Sequence, residues 1–477
     1  MAAKTDQPIA QPSMKKSLQQ PRTKWWPILV LSIVSISEGT CVSFPGIVQP
    51  QLTKAAPGEL SLTTEEVSIL NSLFHMGLVM AACPSLPLQT IMGQRIVIVL
   101  GICLNVSAWL AITLTKKIWV LCLARFAQGM CLNTGGPSIT TYLVETAHKN
   151  NRGWQTGTQY LSRSIGLLVP AITTTANLSW RQTGIVCCVL SLVPIIGILL
   201  LPDSPRWLMT RGRNTEAQKA LKYFRGECSE IESEYKEIVS QALKEGQGDI
   251  CHQTSMLFRA PTRRTLSLLF VTASTIYFGG SNLVITYMVP IMQRAKITTD
   301  PYLTSIVFFL TRTLGATMSV CLSHRLKRKP LIIVGLISIS LSHGMISLYF
   351  FLQRFGISDI SWMPIAAIII MLFSDGIGCT GYYTLEGELL PLSCRTIGVL
   401  SLKCAGGMSA VLNMMTYEQT IVALEMDGAF LLYGALSAIA PFIIIFCLQE
   451  THGVSLEELT VSVSQNDNTV KTKTLNI

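Results

Sequence analysis

The sequence has little charge. Only 13% of its 477 residues are Asp, Glu, Lys or Arg, about half the share that soluble globular domains carry. Hydrophobic residues make up 49% of the chain. A chain of this composition has too few charges to cover a water-exposed surface. The composition excludes an ordinary soluble protein and predicts that most of the length is shielded from water.

The sequence also lacks the motifs of enzymes and metal sites. It has no nucleophile elbow, no phosphate-binding glycine loop and no Cys/His pairs at zinc spacing. Most of its 14 cysteines stand singly inside apolar runs, where cysteine behaves as a small hydrophobe. We therefore expect neither catalysis nor a cofactor, and no bound metal.

The formal net charge of +10 does not indicate nucleic-acid binding. The basic residues lie in short segments between apolar runs and do not follow one helical face or a basic arm. This distribution is typical of the connections between membrane-spanning helices. We expect the partners to be the lipid bilayer and a small solute, not a nucleic acid.

Long apolar runs recur along the chain, and each approaches the roughly 20 residues that a helix needs to cross the hydrocarbon core. We count about twelve, six before and six after a polar segment at 202–263. The sequence therefore predicts an all-α membrane protein of twelve transmembrane helices in two groups of six. The runs lie near residues 27–47, 67–89, 95–115, 118–143, 156–176, 183–201, 265–292, 302–322, 330–352, 362–389, 397–417 and 428–448.

Lys and Arg concentrate in alternate connections, including the one with Arg95, the polar central segment and the stretch HRLKRK at 324–329. Because cytoplasmic loops carry the excess of Lys and Arg, both termini and the central segment are predicted to be cytoplasmic. The predicted parts are a cytoplasmic tail at 1–26, a first bundle at 27–201, a cytoplasmic loop with short helices at 202–263, a second bundle at 264–448 and a cytoplasmic tail at 449–477.

A series of motifs carries a family resemblance. Residues 202–208 read PDSPRWL, Glu145 stands seven residues before Arg152, and Glu388 stands seven before Arg395. Residues 450–453 read ETHG after the last run. In this order and spacing, over residues 90–460, the series resembles the sugar-porter family of the major facilitator superfamily, and most of all its insect branch that carries trehalose and related sugars.

The resemblance implies a carrier that works by alternating access between two six-helix bundles and is active as a monomer. The expected location is the plasma membrane, with an intracellular organelle membrane as the alternative. It also implies a network of charges that closes one end of the carrier and opens in each cycle. The alternative is that these charges only set the topology. The residues assigned to this gating network are Arg95, Glu145, Arg152, Arg206, Arg325, Glu388, Arg395 and Glu450.

The sugar site departs from the family pattern. Two glutamines of the seventh span are replaced by Ile276 and Tyr277, and the proline-shaped break of the tenth span has become glycine-rich, with Gly376 among the residues expected to supply flexibility. Amides and aromatic rings are the usual partners of sugar hydroxyls. The residues that we assign to substrate binding are Gln159, Asn282, Tyr287, Arg312, Asp375 and Tyr383.

Charged residues also fall inside the predicted spans. A charge at the centre of a bilayer costs about 2.5–3.5 kcal/mol on insertion scales, so each needs a role. Glu38, Arg125 and Arg163 are candidates for ion pairing or for proton transfer, and Glu38 lies three residues before Cys41, where proton-coupled members carry an aspartate. For Arg312 and Asp375 the alternatives are a packing ion pair and the binding cavity.

The favoured function is transport of a small polar solute, by family default a hexose or trehalose. One alternative is a carrier of a charged or zwitterionic metabolite, in which Arg312 or Arg163 would bind a carboxylate. The other alternative is a sugar sensor that keeps the fold without transporting.

Overall fold

The computed structural model describes residues 25–54, 59–147, 152–225, 250–279, 281–297, 299–322, 328–357, 360–390 and 394–447. Within these ranges every regular element is an α-helix. We number the membrane-spanning helices as spans 1 to 12 from the amino terminus.

The first half contains spans 1 to 6. Spans 1 to 4 are Trp25–Thr53, Thr64–Met92, Gln94–Leu114 and Ile118–Thr146. Span 5 consists of Arg152–Gly166 and Leu168–Thr175, and span 6 consists of Trp180–Leu192 and Pro194–Leu199. The short helices Pro205–Thr210, Asn214–Arg225 and Ile250–Leu257 follow span 6.

The second half contains spans 7 to 12. Span 7 is made of three pieces, Ala260–Gly279, Ser281–Thr286 and Met288–Arg294. Spans 8, 9 and 10 are Pro301–Leu322, Arg328–Arg354 and Trp362–Leu389. Spans 11 and 12 lie within the continuous stretch Arg395–Cys447, which kinks at Glu425 (φ 57°).

Local sequence explains where several spans start and break. Thr63 and Glu66 form a reciprocal capping box at the start of span 2. Spans 5 and 7 are interrupted at Leu167 and Tyr287, each three residues before a proline, Pro170 or Pro290. A proline has no N–H for the carbonyl four residues earlier, so the helical ladder loses a bond at these points.

Eight helices of the described residues are long and apolar enough to cross a membrane by themselves. Spans 4, 5 and 10 fall outside that group; span 5 is broken, and span 10 contributes a shorter apolar helix, Trp362–Gly378. The stretch that holds spans 11 and 12 is counted once among the eight. With these additions the predicted number of twelve spans is accounted for.

Equivalent helices pack together in the two halves, and the halves also contact each other. Span 2 lies against span 4 in the first half, as span 8 lies against span 10 in the second. Between the halves, span 1 contacts span 7, span 5 contacts span 8, and Gly407 of span 11 lies against Val79 of span 2. The largest hydrophobic cluster contains residues of both halves, such as Phe44 and Val284. A polar group at this interface is therefore surrounded by apolar side chains.

Candidate functional site

An ion pair lies at the middle of spans 8 and 10. The Arg312 Nε atom is 2.7 Å from the Asp375 Oδ2 atom, and the two side chains are only 8% and 5% exposed. A guanidinium and a carboxylate at this distance neutralise each other's charge. The pair is the charged core of the candidate site.

Gly376 brings the two partners of this pair together. A Cβ atom at position 376 would lie 2.4 Å from the carbonyl oxygen of Arg312, and one at Gly315 would lie 2.3 Å from that of Phe373. The backbones of spans 8 and 10 therefore touch where Asp375 meets Arg312. We expected the glycines of span 10 to supply flexibility. Gly376 instead permits close packing, because span 8 occupies the space that a side chain at position 376 would need.

Three hydroxyl groups complete what we call the central cluster: Tyr160, Ser164, Ser281, Arg312 and Asp375. Arg312 Nη1 donates to Ser164 Oγ at 2.8 Å, and Nη2 donates to the Tyr160 hydroxyl. The Tyr160 and Ser281 hydroxyls donate to the two oxygens of Asp375. The cluster thus joins spans 5, 7, 8 and 10 and carries no net charge.

A cavity in the second half adjoins the cluster. Asp375 and Ser281 form part of its wall, and the remaining lining is mainly apolar, including Ile276, Leu336 and Tyr382. The carboxylate of Asp375 is its charged group. The cavity has room for about one water molecule, with an apolar wall and the polar atoms of Asp375 and Ser281.

The other predicted substrate residues have different surroundings. Gln159 is bonded to span 4 instead, through the Gly136 carbonyl at 2.9 Å and Thr140 at 2.6 Å. Asn282 is half-buried on span 7. Tyr287 is fully buried and stacks on Tyr417 with ring centroids 4.1 Å apart. The side chain of Tyr383 lies outside the part of the structure that is described.

Glu38 pairs with Arg163, not with Arg125. The Glu38 Oε2 atom is 2.7 Å from Arg163 Nη2, which links span 1 to span 5. Gly136 of span 4 makes room for the pair, since a Cβ there would lie 3.1 Å from Arg163 Nη2. This second ion pair belongs entirely to the first half.

Arg125 is buried beside Cys41 on the inner side of the first half. It donates to the Cys41 carbonyl oxygen at 2.8 Å and to Gln128 at 2.7 Å, and it lies 4.5 Å from the Phe74 ring centroid. In the described part of the chain no carboxylate is found within salt-bridge distance of Arg125. Its charge is stabilised by a carbonyl, an amide and an aromatic face.

Two residues of the predicted gating network contact the segment after span 6. Arg95 pairs with Asp203 at 2.9 Å and donates to the Leu201 carbonyl at 2.7 Å. Glu145, at the end of span 4, accepts a hydrogen bond from Ser204. These contacts tie the ends of spans 3 and 4 to the PDSPRWL stretch.

Trp207 of the same stretch, together with Arg211 just after it, caps span 2. Trp207 Nε1 donates to the Thr90 carbonyl at 3.0 Å, and Arg211 donates to the carbonyls of Thr90 and Ile91 at 2.8 and 3.0 Å. These donors satisfy helix-end carbonyls that have no partner within the helix. The end of span 2 is therefore anchored through its backbone.

Of the remaining members of the predicted network, only Arg206 has a described side chain. Arg206 is half-buried at the start of the helix Pro205–Thr210. Arg152, Glu388 and Arg395 lie on described helices, but their side chains are outside the described part. The positions of Arg325 and Glu450 fall outside the described residues altogether.

Sequence reasoning missed three hydroxyl residues of the central cluster. Tyr160 follows Gln159 directly on span 5, and one residue turns a helix by about 100°, so Gln159 contacts span 4 while Tyr160 contacts span 8. Ser164 lies four residues after Tyr160 and therefore on the same helical face. That spacing, together with a buried arginine across the interface, is the signal that could have found both.

An all-α membrane protein of two six-helix halves that meet at a buried polar cluster has the architecture of the major facilitator fold. Solved structures of that fold agree. The proton:xylose symporter XylE bound to 6-bromo-6-deoxy-D-glucose superposes with a TM-score of 0.77 at 15% identity, covering 92% of this chain and 98% of that one. The inward-open xylose transporter XylE from E. coli gives 0.72 at 16% identity, covering 91% and 98%. The predicted fold class is confirmed.

The chain belongs to the sugar (and other) transporter family, whose model matches residues 22–462. It is similar to the facilitated trehalose transporter of Polypedilum vanderplanki, with 26% identity over 444 residues that cover 90% of this chain and 87% of that protein. A facilitated trehalose transporter homolog of Drosophila simulans is also 26% identical over 437 residues, covering 90% and 89%. The predicted family and the assignment as a multi-pass membrane transporter, not an enzyme, are confirmed.

Proposed function

We propose that this protein carries a neutral sugar across the membrane by alternating access. The observation that carries the proposal is the 2.7 Å pairing of Arg312 with Asp375 in a cluster of hydroxyl groups. Because the pair has no net charge, an anion gains no Coulomb attraction there. The pair still offers both a charged donor and a charged acceptor, and vicinal sugar hydroxyls can donate and accept together.

This geometry argues against the alternative that the protein carries a charged metabolite. An anionic solute would have to displace Asp375 from Arg312 and leave a buried carboxylate without its counter-ion, which is costly. Arg163 is likewise paired with Glu38. The relatives named above are transporters of sugars by name, which favours sugar transport over both the charged-metabolite and the sensor alternatives.

Trehalose or a hexose is the solute that we propose first, moved without proton coupling. Trehalose is the solute in the names of the insect relatives. At Cys41, where proton-coupled members carry an aspartate, this chain has a thiol, and Arg125 binds the carbonyl of the same residue. A thiol in this position offers no carboxylate to carry the proton.

We further propose a charge network that closes the cytoplasmic end. Glu145 and Arg95 contact the PDSPRWL stretch. Arg152 and Arg395 begin spans 5 and 11, and Glu388 lies near the end of span 10, all on the predicted cytoplasmic side. The predicted tails, loop and bundle boundaries, the cytoplasmic termini, the plasma membrane and a working monomer belong to this proposal.

Uptake by reconstituted protein tests the proposal. Proteoliposomes would be given labelled trehalose, glucose, an amino acid or an organic anion, at two external pH values. We expect accumulation of trehalose or glucose to the equilibrium level, with no dependence on the direction of the pH gradient. Accumulation of only the anion or the amino acid would contradict the neutral-sugar assignment, and uphill uptake driven by a pH gradient would contradict the uncoupled mode.

A further inference from the structure

We propose that the central cluster is also a strap between the bundles, whose hydrogen bonds speed the return of the empty carrier. The inference rests on the proposed function, because it concerns one step of a carrier's cycle. Its parts are Arg312 in the second bundle and Tyr160 and Ser164 in the first.

Arg312 is anchored in its own bundle and bonded to the other. Its Nε atom is held by Asp375 on span 10 at 2.7 Å, while Nη1 reaches Ser164 Oγ on span 5 at 2.8 Å. Nη2 donates to the Tyr160 hydroxyl, and the guanidinium carbon lies 4.9 Å from the centroid of the Tyr160 ring. These charge-assisted bonds between bundles are direct, and they are among the stronger hydrogen bonds of proteins.

The bundles also touch on both sides of the strap. Towards the Thr53 end of span 1, a Cβ atom on Gly46 would lie 2.2 Å from the Ile285 carbonyl oxygen of span 7. Towards the Arg152 end of span 5, a Cβ atom on Gly157 would lie 2.9 Å from Val320 of span 8. The strap therefore lies within an arrangement in which the bundles meet above and below it.

A carrier must pass through such a closed arrangement twice per cycle, once loaded and once empty. On the loaded passage, a solute between spans 5 and 8 can bridge them with its own hydroxyls. On the empty passage, the bridging bonds must come from the protein. Because Arg312 supplies them directly, closure does not require a bound solute, and the empty passage need not be the slow one.

The strap can also open without leaving a buried charge unpaired. When the bundles part, Arg312 keeps Asp375, and Ser164 keeps its 3.1 Å bond to the Tyr160 carbonyl oxygen. The bonds that break are those that cross between bundles. The opening cost is therefore limited to groups that water or solute can satisfy.

Comparison of net uptake with exchange tests the strap. At saturating concentration of whichever labelled solute the wild-type protein accumulates, we expect exchange and net uptake to run at similar rates. In the double variant Tyr160→Phe, Ser164→Ala, net uptake should fall about tenfold relative to exchange, which corresponds to about 1.4 kcal/mol of barrier. An exchange-to-net ratio that is unchanged, or lower, would overturn the inference. Because the ratio is taken with the solute actually carried, the failure of sugar uptake would count against the proposed function alone.

Matched variants separate the strap from a general loss of hydroxyl bonds. Tyr349 and Ser342 donate to the Ala295 and Ser338 carbonyls at 2.7 and 2.8 Å, both within the second bundle. The double variant Tyr349→Phe, Ser342→Ala should keep the wild-type ratio. An equal rise in that ratio would overturn the inference.

A second measurement needs no solute. Lys117 and Lys296 are exposed, one in each half. In a variant without other accessible thiols, spin labels on Lys117→Cys and Lys296→Cys report the distance between the bundles. We expect the strap variant to shift the distance distribution of the empty protein away from the closed arrangement. A distribution identical to that of the protein with Tyr160 and Ser164 intact would overturn the inference even if no transported solute had been found.

Discussion

Arg312 keeps its charge at any physiological pH and must therefore find partners within the membrane. Its contacts with Asp375, Tyr160 and Ser164 give every nitrogen of the guanidinium a partner of opposite polarity. At the residue scale we propose that the same contacts serve stability and function, because pairing with Asp375 both stabilises the buried charge of Arg312 and leaves the site without net charge.

We expect Arg312→Gln to lower the thermal stability strongly, since it leaves the buried Asp375 carboxylate without its counter-ion. Breaking a buried pair in this way typically costs about 3–5 kcal/mol. Adding Asp375→Asn should restore much of the loss, because no buried charge remains. Thermal unfolding of the two single variants and the double variant in detergent gives the coupling directly. Additive losses in the double variant would show that the two side chains do not depend on each other.

The charged residues of the site were within reach of sequence reasoning, but their partners were not. Arg312 and Asp375 are conspicuous because charge is rare in apolar spans. Tyr160 and Ser164 are common polar residues on a span with several others, and their roles depend on which face of span 5 meets span 8. That helical phase is decided by packing between bundles, which no local pattern contains.

At the element scale, spans 8 and 10 are set at contact distance by their glycines. We expect Gly376→Ala to destabilise the protein by about 1–3 kcal/mol, the usual cost of forcing extra atoms into a packed interior, because the new Cβ would lie 2.4 Å from the Arg312 carbonyl. Thermal unfolding and solute uptake would both be measured, and both should fall.

Gly378→Ala is the matched control on the same helix. Its new Cβ would be 3.6 Å from the Gly335 Cα atom, an ordinary contact. Stability and uptake should stay near those of the wild type. If Gly376→Ala behaved like this control, close packing of spans 8 and 10 would not be what positions Asp375.

The long apolar runs predicted the spans well, but not their interruptions. The runs continue through Leu167 and Tyr287, where spans 5 and 7 break. Hydropathy does not register these points, since the residues remain apolar on both sides. The prolines three residues downstream provide the physical cause, and they are the feature by which such breaks can be sought in sequence.

At the scale of the whole molecule, the distribution of Lys and Arg predicts the orientation in the membrane. Lys219→Cys, on the helix Asn214–Arg225, should react with an impermeant thiol reagent only after the membrane is opened. Lys296→Cys, after span 7, should react in intact cells. The reverse pattern would invert the topology and with it the end of the carrier at which we propose that Glu145 and Arg152 act.

The fold could be predicted almost completely from sequence, since apolar runs, basic connections and ordered motifs act along the chain. The site could be predicted only in part, because it arises where the two halves meet. Arg312 draws its partners from residues 148 and 152 positions away, at Ser164 and Tyr160. Such distant contacts depend on how complete bundles dock.

The neutral character of the site is the central claim, and a pair of solutes that differ by one carboxylate tests it most directly. Glucose and glucuronate would each be offered as competitors of labelled solute uptake into proteoliposomes that contain the wild-type protein. Because Asp375 neutralises Arg312, the account predicts that glucose competes while glucuronate at tenfold higher concentration (about one decade in affinity, or about 1.4 kcal/mol) does not. Competition by glucuronate equal to or stronger than that by glucose would contradict it.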